Sequence, residues 1–238
     1  MQKHELIKSG IPGFDTLAGG GIPRGSIIML SGDTGCGKST FATQFLARGA
    51  RDYGEPSLYV SFDEHKERFF ANMGNFDFGL EELERERLFV FLEYPAYELE
   101  QFVSQESAIN QLIEEIGVER LVIDSVTSLL FLYEEGCIGK RHRVIKLIEK
   151  LREWDCTTLL IAEVSPTDHA KTEHGIEYLS DGLVYFYNTR VGDSRERAIE
   201  VIKMRGMHHK TKICPFRIGK NGITVHAEGH SFEHAHIK

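Results

Sequence analysis

The 238-residue sequence predicts an α/β fold, a largely parallel central sheet flanked by helices with an antiparallel C-terminal extension, and three observations predict it. The apolar run Ile27-Ile28-Met29-Leu30 runs into a Gly-rich loop and then at once into a helical pattern from Phe41 to Ala50. Strand-length runs at Ser57 to Phe62, Leu88 to Leu92, Leu121 to Ile123 and Thr157 to Ala162 alternate with stretches of helical period, the order that winds a parallel sheet. Last, Leu183 to Asn188, Arg197 to Met204, Ile213 to Ile218 and Gly222 to His226 are strand-like, with turn residues Gly192-Asp193 and Asn221-Gly222 between some of them.

Size and composition bound the rest. The length suits one large α/β domain, expected over residues 1–238, with a lead-in segment of about 1–25 and a loose tail at 227–238. A formal net charge of -8 argues against coating nucleic acid by bulk attraction, which needs excess Lys and Arg. No run of about 18 apolar residues offers a membrane span. Met1 to Glu5 lacks the apolar core of a secretory signal, and Cys36, Cys137, Cys156 and Cys214 form no C-x-x-C pair, so the cytoplasm is the expected compartment.

In chain order, Ser9 to Ser26 is rich in Pro and Gly and is expected as turns without regular elements. Gly32-Asp33-Thr34-Gly35-Cys36-Gly37-Lys38-Ser39-Thr40 then fits G-x-x-x-x-G-K-[ST] in full. Glycines let the backbone curl so that successive N–H groups converge on phosphate oxygens, and the following helix presents its positive dipole end. Lys38 would reach the outer phosphates and Ser39 would offer its hydroxyl to Mg²⁺.

The lead-in carries a resemblance. I-P-G-F-D-x-L (Ile11 to Leu17), G-G-G-I-P-x-G (Gly19 to Gly25), a strand and a phosphate loop resemble the opening of the KaiC and RadA branch of the RecA superfamily. The resemblance implies a RecA-like fold, ATP and ADP as ligands, Mg²⁺ as cofactor, and self-assembly, most simply a homohexamer.

Ser57 to Phe62 ends in Asp63-Glu64, at the strand end where open α/β sheets hold their ligands. KaiC-like proteins carry a pair of acids here that is held responsible for hydrolysis, which implies Glu64 as base and Asp63 as helper; the pair could instead cap the helix starting near Lys66. Phe69, Phe70 and Met73 have core spacing, and Asp77 to Arg87 reads as a solvated helical connection. Leu88 to Leu92 is expected to be buried on both faces, and Phe102 to Ile116 is expected as a helix stopped by Gly117.

Leu121-Val122-Ile123-Asp124, 86 residues after Lys38, has the Walker B pattern that places Asp124 at Mg²⁺. Ser125 follows where some ATPases carry their base, which adds weight to Asp63-Glu64. Tyr133 to Lys140 reads as a loop, and Arg141 to Trp154 as a helix with Val144, Ile145, Leu147, Ile148 and Leu151 on one face. The resemblance implies a γ-phosphate sensor near Glu163. It also turns the loop-like Pro166 to Gly175 toward the channel of a ring or filament. Glu177-Tyr178 stands where one half of KaiC carries adjacent Ser and Thr, so autophosphorylation there is not expected.

Lys203-Met204-Arg205-Gly206 matches the K-L-R-G of KaiC-like proteins, which implies that Lys203 and Arg205 act on a neighbouring subunit's nucleotide; His209 keeps the last position of the T-S-H that follows in the family. A basic strand end in solvent is the plainer alternative. His226, His230, His234 and His236 suggest a metal only if helical, and Gly229 breaks that pattern. The expected function is a P-loop ATP hydrolase. A non-hydrolysing scaffold, a RadA-like DNA-handling ATPase and a protein kinase are the alternatives.

Overall fold

The structure, a computed structural model, describes residues 5–94, 106–131, 137–163 and 176–228. Nine strands form one sheet: β3 (Ile27–Gly32), β4 (Ser57–Ser61), β5 (Phe89–Glu93), β6 (Arg120–Asp124), β7 (Thr157–Glu163), β8 (Gly182–Val191), β9 (Ser194–Met204), β10 (Cys214–Gly219) and β11 (Gly222–Val225). Their spatial order is β11-β10-β9-β8-β3-β7-β6-β4-β5. The six strands from β8 to β5 are parallel, and β9, β10 and β11 extend the sheet antiparallel. The turn at Gly192-Asp193 joins β8 to β9 as its chemistry predicts, while the turn from β10 to β11 falls at Lys220-Asn221, one residue earlier than expected, with Gly222 opening β11.

Continuous apolar runs make the central strands because both faces are covered. On one face Ile28 and Leu30 of β3 join α2 (Lys38–Tyr53), whose Phe41, Phe45 and Leu46 are fully buried. On the other, Ile27 and Met29 pack with α5 (Glu106–Ile116) and α7 (Cys137–Glu153) through Ile109, Ile113, Val144, Ile148 and Leu151.

The departures from expectation have physical reasons. The lead-in is not merely turns: β1 (Leu6–Ile7) pairs antiparallel with β2 (Ile22–Pro23), and one turn of helix, α1 (Phe14–Leu17), buries Phe14 and Leu17 against the α2 face. β5 is the sheet edge, so Phe89 and Phe91 are buried while Val90 and Leu92 are only half-buried. α3 (Lys66–Met73) starts where expected, with Phe69 buried and Phe70 packed against the core. Of the charged connection only α4 (Leu80–Arg85) is helical, and it hides Leu80 and Leu83. α6 (Val126–Phe131), capped by Ser125, was not expected, and α7 starts at Cys137, inside the expected loop. α8 (Ile176–Leu179) precedes β8. Residues 102–105, Pro166 to Gly175 and the histidines beyond His226 lie outside the described residues. Among those described, no helix is long and apolar enough to cross a membrane.

Candidate functional site

The site lies at the carboxyl ends of β3, β4, β6 and β7, the end of a parallel sheet where ligands bind. Gly32 closes β3 with φ 142°, and a Cβ there would meet the Phe186 carbonyl oxygen of β8 at 2.3 Å, so only glycine lets the loop leave the sheet at this point. Gly37, in the left-handed region, turns the chain into α2. Thr34 to Gly37 therefore form a curl over the start of a sixteen-residue helix, whose free N–H groups favour anions.

Lys38 is buried, and its Nζ donates to the carbonyls of Gly32 (2.7 Å) and Asp33 (2.9 Å), which hold the ammonium over the loop. Cys36 lies beneath, 3.7 Å from Nζ, and burial pushes its thiol pKa up, so it stays a thiol at neutral pH. A cleft of about 310 Å³ opens here, lined by Thr34, Lys38, Ser39, Asp124, Glu163 and Ile218 among others. A second cleft of about 990 Å³ shares Ile218 and is flanked by Arg195, Arg197 and Phe216. Within the β8–β9 pair, the Arg197 Nε and the Oδ1 of its register partner Asn188 are buried without a hydrogen-bond partner among the described residues.

Asp124 ends β6, and its Oδ2 accepts from Ser39 Oγ at 2.8 Å and from the Tyr59 hydroxyl at 2.5 Å. Burial pushes the Asp124 carboxyl above the usual carboxylate range, opposed by those two hydrogen bonds. Hydroxyl and carboxylate side by side are a donor set that suits Mg²⁺ completed by phosphate and water oxygens.

Asp63 and Glu64 follow β4 but diverge. Asp63 Oδ2 accepts from Ser125 Oγ (3.0 Å) and Ser128 Oγ (2.7 Å), which holds it beside the Asp124 end of β6. Glu64 Oε1 instead accepts from Asn72 Nδ2 of α3 at 2.6 Å, with Arg68 Nε 3.8 Å away. Glu163 is register partner to Gly32, its side chain exposed at the cleft, while its N–H donates to Thr127 Oγ1 at 2.8 Å.

Lys203, Arg205 and His209 are not brought to this loop. Lys203 pairs with Leu183, three residues back along β8 from the Phe186 that pairs with Gly32, about 10 Å along the strand and two strands across. Its Nζ donates to the carbonyls of Ser180 (2.7 Å) and Glu177 (3.1 Å). Burial lowers the Lys203 ammonium pKa. Arg205 is exposed, donates to the Tyr178 carbonyl at 2.9 Å and lies 3.6 Å from Asp181 Oδ1. His209 sits in a loop whose Lys210 N–H donates to Leu17 of the lead-in.

Sequence reasoning missed Tyr59, Ser125 and Ser128. Tyr59 had one available signal: a tyrosine inside a fully buried strand must place its hydroxyl on an acceptor. The two serines gave no signal for their contact with Asp63, which lies in the loop after β4.

Comparison with known proteins adds the following. A family description reading ATPase: KaiC matches residues 7–230. A UPF0273 protein of Methanocaldococcus jannaschii is 31% identical, the match covering 93% of this chain and 96% of that one. The circadian clock oscillator protein KaiC of Parasynechococcus marenigrum is 30% identical over 93% of this chain, which spans only 44% of that protein. Among solved structures, a KaiC-like protein from the hyperthermophilic archaeon Pyrococcus horikoshii superposes with a TM-score of 0.85 at 34% identity, covering 94% of this chain and 99% of that one.

Proposed function

The chain belongs to the KaiC family of ATPases, and on that premise we propose that it is a Mg²⁺-dependent ATP hydrolase of one domain, working as a homo-oligomeric ring with each site shared between subunits. The observation that carries the reading is the meeting of Ser39 and Asp124 beside the phosphate loop. In it, the amides of Thr34 to Lys38 hold the β-phosphate, Lys38 exchanges its loop carbonyls for outer phosphate oxygens, and the Ser39 hydroxyl with Asp124 holds Mg²⁺. Ile218 leads from the phosphates toward the second cleft, which has room for the nucleoside. Bound Mg²⁺ would offset phosphate charge and polarise the γ-phosphoryl group.

Water attack needs a carboxylate acceptor. Glu64 remains the proposed base with Asp63 as helper, although Asp63 now has the nearer claim, because the serines that hold it flank Asp124 while Glu64 must first leave Asn72. Since the loop and Lys203 with Arg205 lie at different levels of the sheet, those two cations, with His209, serve the nucleotide of an adjacent subunit. The location proposed for this activity is the cytoplasm.

A size-resolved ATPase assay tests the reading. Turnover is expected in the oligomeric fraction, and Arg205→Ala should lower kcat by about 10³-fold, the loss expected for an arginine finger, while nucleotide affinity changes far less. Normal turnover by Arg205→Ala would end the shared-site reading. A second reading, a nucleotide-gated scaffold without hydrolysis, is favoured by one observation: both Asp63 and Glu64 already have side-chain hydrogen-bond donors. Phosphate release from labelled ATP separates the two.

A further inference from the structure

Tyr59 is the middle residue of β4, where any large apolar side chain would fill the space. Its ring is packed against Phe69 (centroids 4.7 Å apart) and Phe91 (5.4 Å), contacts that a phenylalanine would make equally well. The hydroxyl is what packing leaves unexplained. In parallel register Tyr59 stands beside Val122, and Asp124 lies two residues further along β6 on the same face. A side chain as long as tyrosine spans that diagonal, and its O–H ends 2.5 Å from Asp124 Oδ2, the oxygen that Ser39 also contacts at 2.8 Å.

A hydroxyl has one O–H to donate and two lone pairs, so Ser39 can face a cation and still donate to Asp124 Oδ2. Ser39 lies in the first turn of α2, whereas the donor that holds Asp124 from within the sheet is the Tyr59 phenol. That phenol is buried and fixed by two aromatic neighbours.

We propose that Tyr59 is a positioning residue for the cation site, holding Asp124 Oδ2 from within the sheet so that the carboxylate keeps its metal-facing orientation. This rests on the Mg²⁺-nucleotide reading above and adds to it a hydroxyl that the motifs do not name. Partners of metal-ligating carboxylates commonly contribute 10- to 100-fold in metal affinity.

The test is Tyr59→Phe, which removes one atom and keeps the ring. A fluorescent ATP analogue is titrated with Mg²⁺ against wild type, Tyr59→Phe, Asp124→Asn and the double variant. The Mg²⁺ midpoint of Tyr59→Phe is expected to rise about 10- to 100-fold, with metal-free nucleotide affinity unchanged. Tyr59→Phe is expected to add no further shift in the Asp124→Asn background, because it acts through that carboxylate. An unchanged midpoint, even with a lowered melting temperature, would reduce Tyr59 to packing and overturn the proposal, as would full additivity in the double variant. If wild type itself ignored Mg²⁺, the ATPase reading would fall and this one with it; a wild-type response matched by Tyr59→Phe sinks this one alone.

Discussion

Gly49, in the middle of α2, shows how a single missing side chain admits a buried charge. A Cβ at Gly49 would come within 2.2 Å of Arg120 Nε and 2.5 Å of its guanidinium carbon. Arg120 is fully buried at the start of β6, and it donates to Glu55 Oε2 (2.6 Å), the Phe45 carbonyl (2.8 Å) and the Lys8 carbonyl (2.7 Å), with its guanidinium 4.4 Å from the Phe45 ring centroid. One side chain thus ties the lead-in, α2 and the Walker B strand together. Gly49→Ala should cost about 1–3 kcal/mol of unfolding free energy by overpacking. Glu55→Gln should cost more, about 3–5 kcal/mol, because it strips a buried charge of its partner. Urea denaturation reads both, and a loss under 0.5 kcal/mol for each would mean that the network is incidental. None of this was legible in the sequence, where no local pattern singles out Gly49, Glu55 or Arg120. The phosphate loop and Asp124 were legible, since their chemistry fixes residue type at fixed spacing. The cross-strand partners Tyr59, Ser125 and Ser128 depend on register, which no local pattern encodes.

At the scale of elements, α3 is fastened where the proposed catalytic acids leave β4. His65 stands just before its first residue, its Nδ1 is paired with Glu93 Oε1 at the end of β5, and Glu93 Oε2 accepts the Lys66 N–H at 2.9 Å. The Glu93 hydrogen bond raises the His65 pKa above its ordinary 6.5, and the Lys66 N–H with His65 lowers Glu93 below 4.5. For His65 the added stability is complete below pH 6.5 and is lost as pH rises through the raised value; for Glu93 it is present above pH 4.5 and lost as pH falls through the depressed value. The fastening is therefore tightest between those two ordinary values and loosens on the alkaline side. Glu93→Gln should return the His65 titration toward 6.5, read from its imidazole NMR signals. An unmoved titration would show that the pair does not persist in solution. The antiparallel strands were readable as elements because turn residues separate them. The burial of β5 was misread because an apolar run does not say whether a strand has one neighbour or two, and among the described residues its only sheet partner is β4. α6 follows Asp124 with Ser125 as its cap, whose Oγ accepts the Ser128 N–H at 3.1 Å, and the short pairing of β1 with β2 is held by the core beneath rather than by strand propensity.

For the whole molecule, the separation between the phosphate loop and Lys203 with Arg205 turns the shared-site proposal into a counting argument. In a head-to-tail ring every interface holds one loop from one subunit and one arginine from the next, whatever the number of subunits. Lys38→Ala spoils the loop side, and Arg205→Ala spoils the other. Each variant alone should be nearly inactive. In a ring assembled from equal amounts of both, a competent interface needs an Arg205→Ala subunit on the loop side and a Lys38→Ala subunit on the arginine side. Each requirement is met about half the time, so about a quarter of the wild-type turnover should return, independent of ring size. If each subunit instead completed its own site, the mixture would be as inactive as its components. The comparison requires subunits to exchange, so the two variants should be unfolded and refolded together, with separately refolded variants pooled afterwards as the control. Recovery only in the co-refolded sample would place the arginine across the interface, and no recovery in either would mean that each subunit completes its own site.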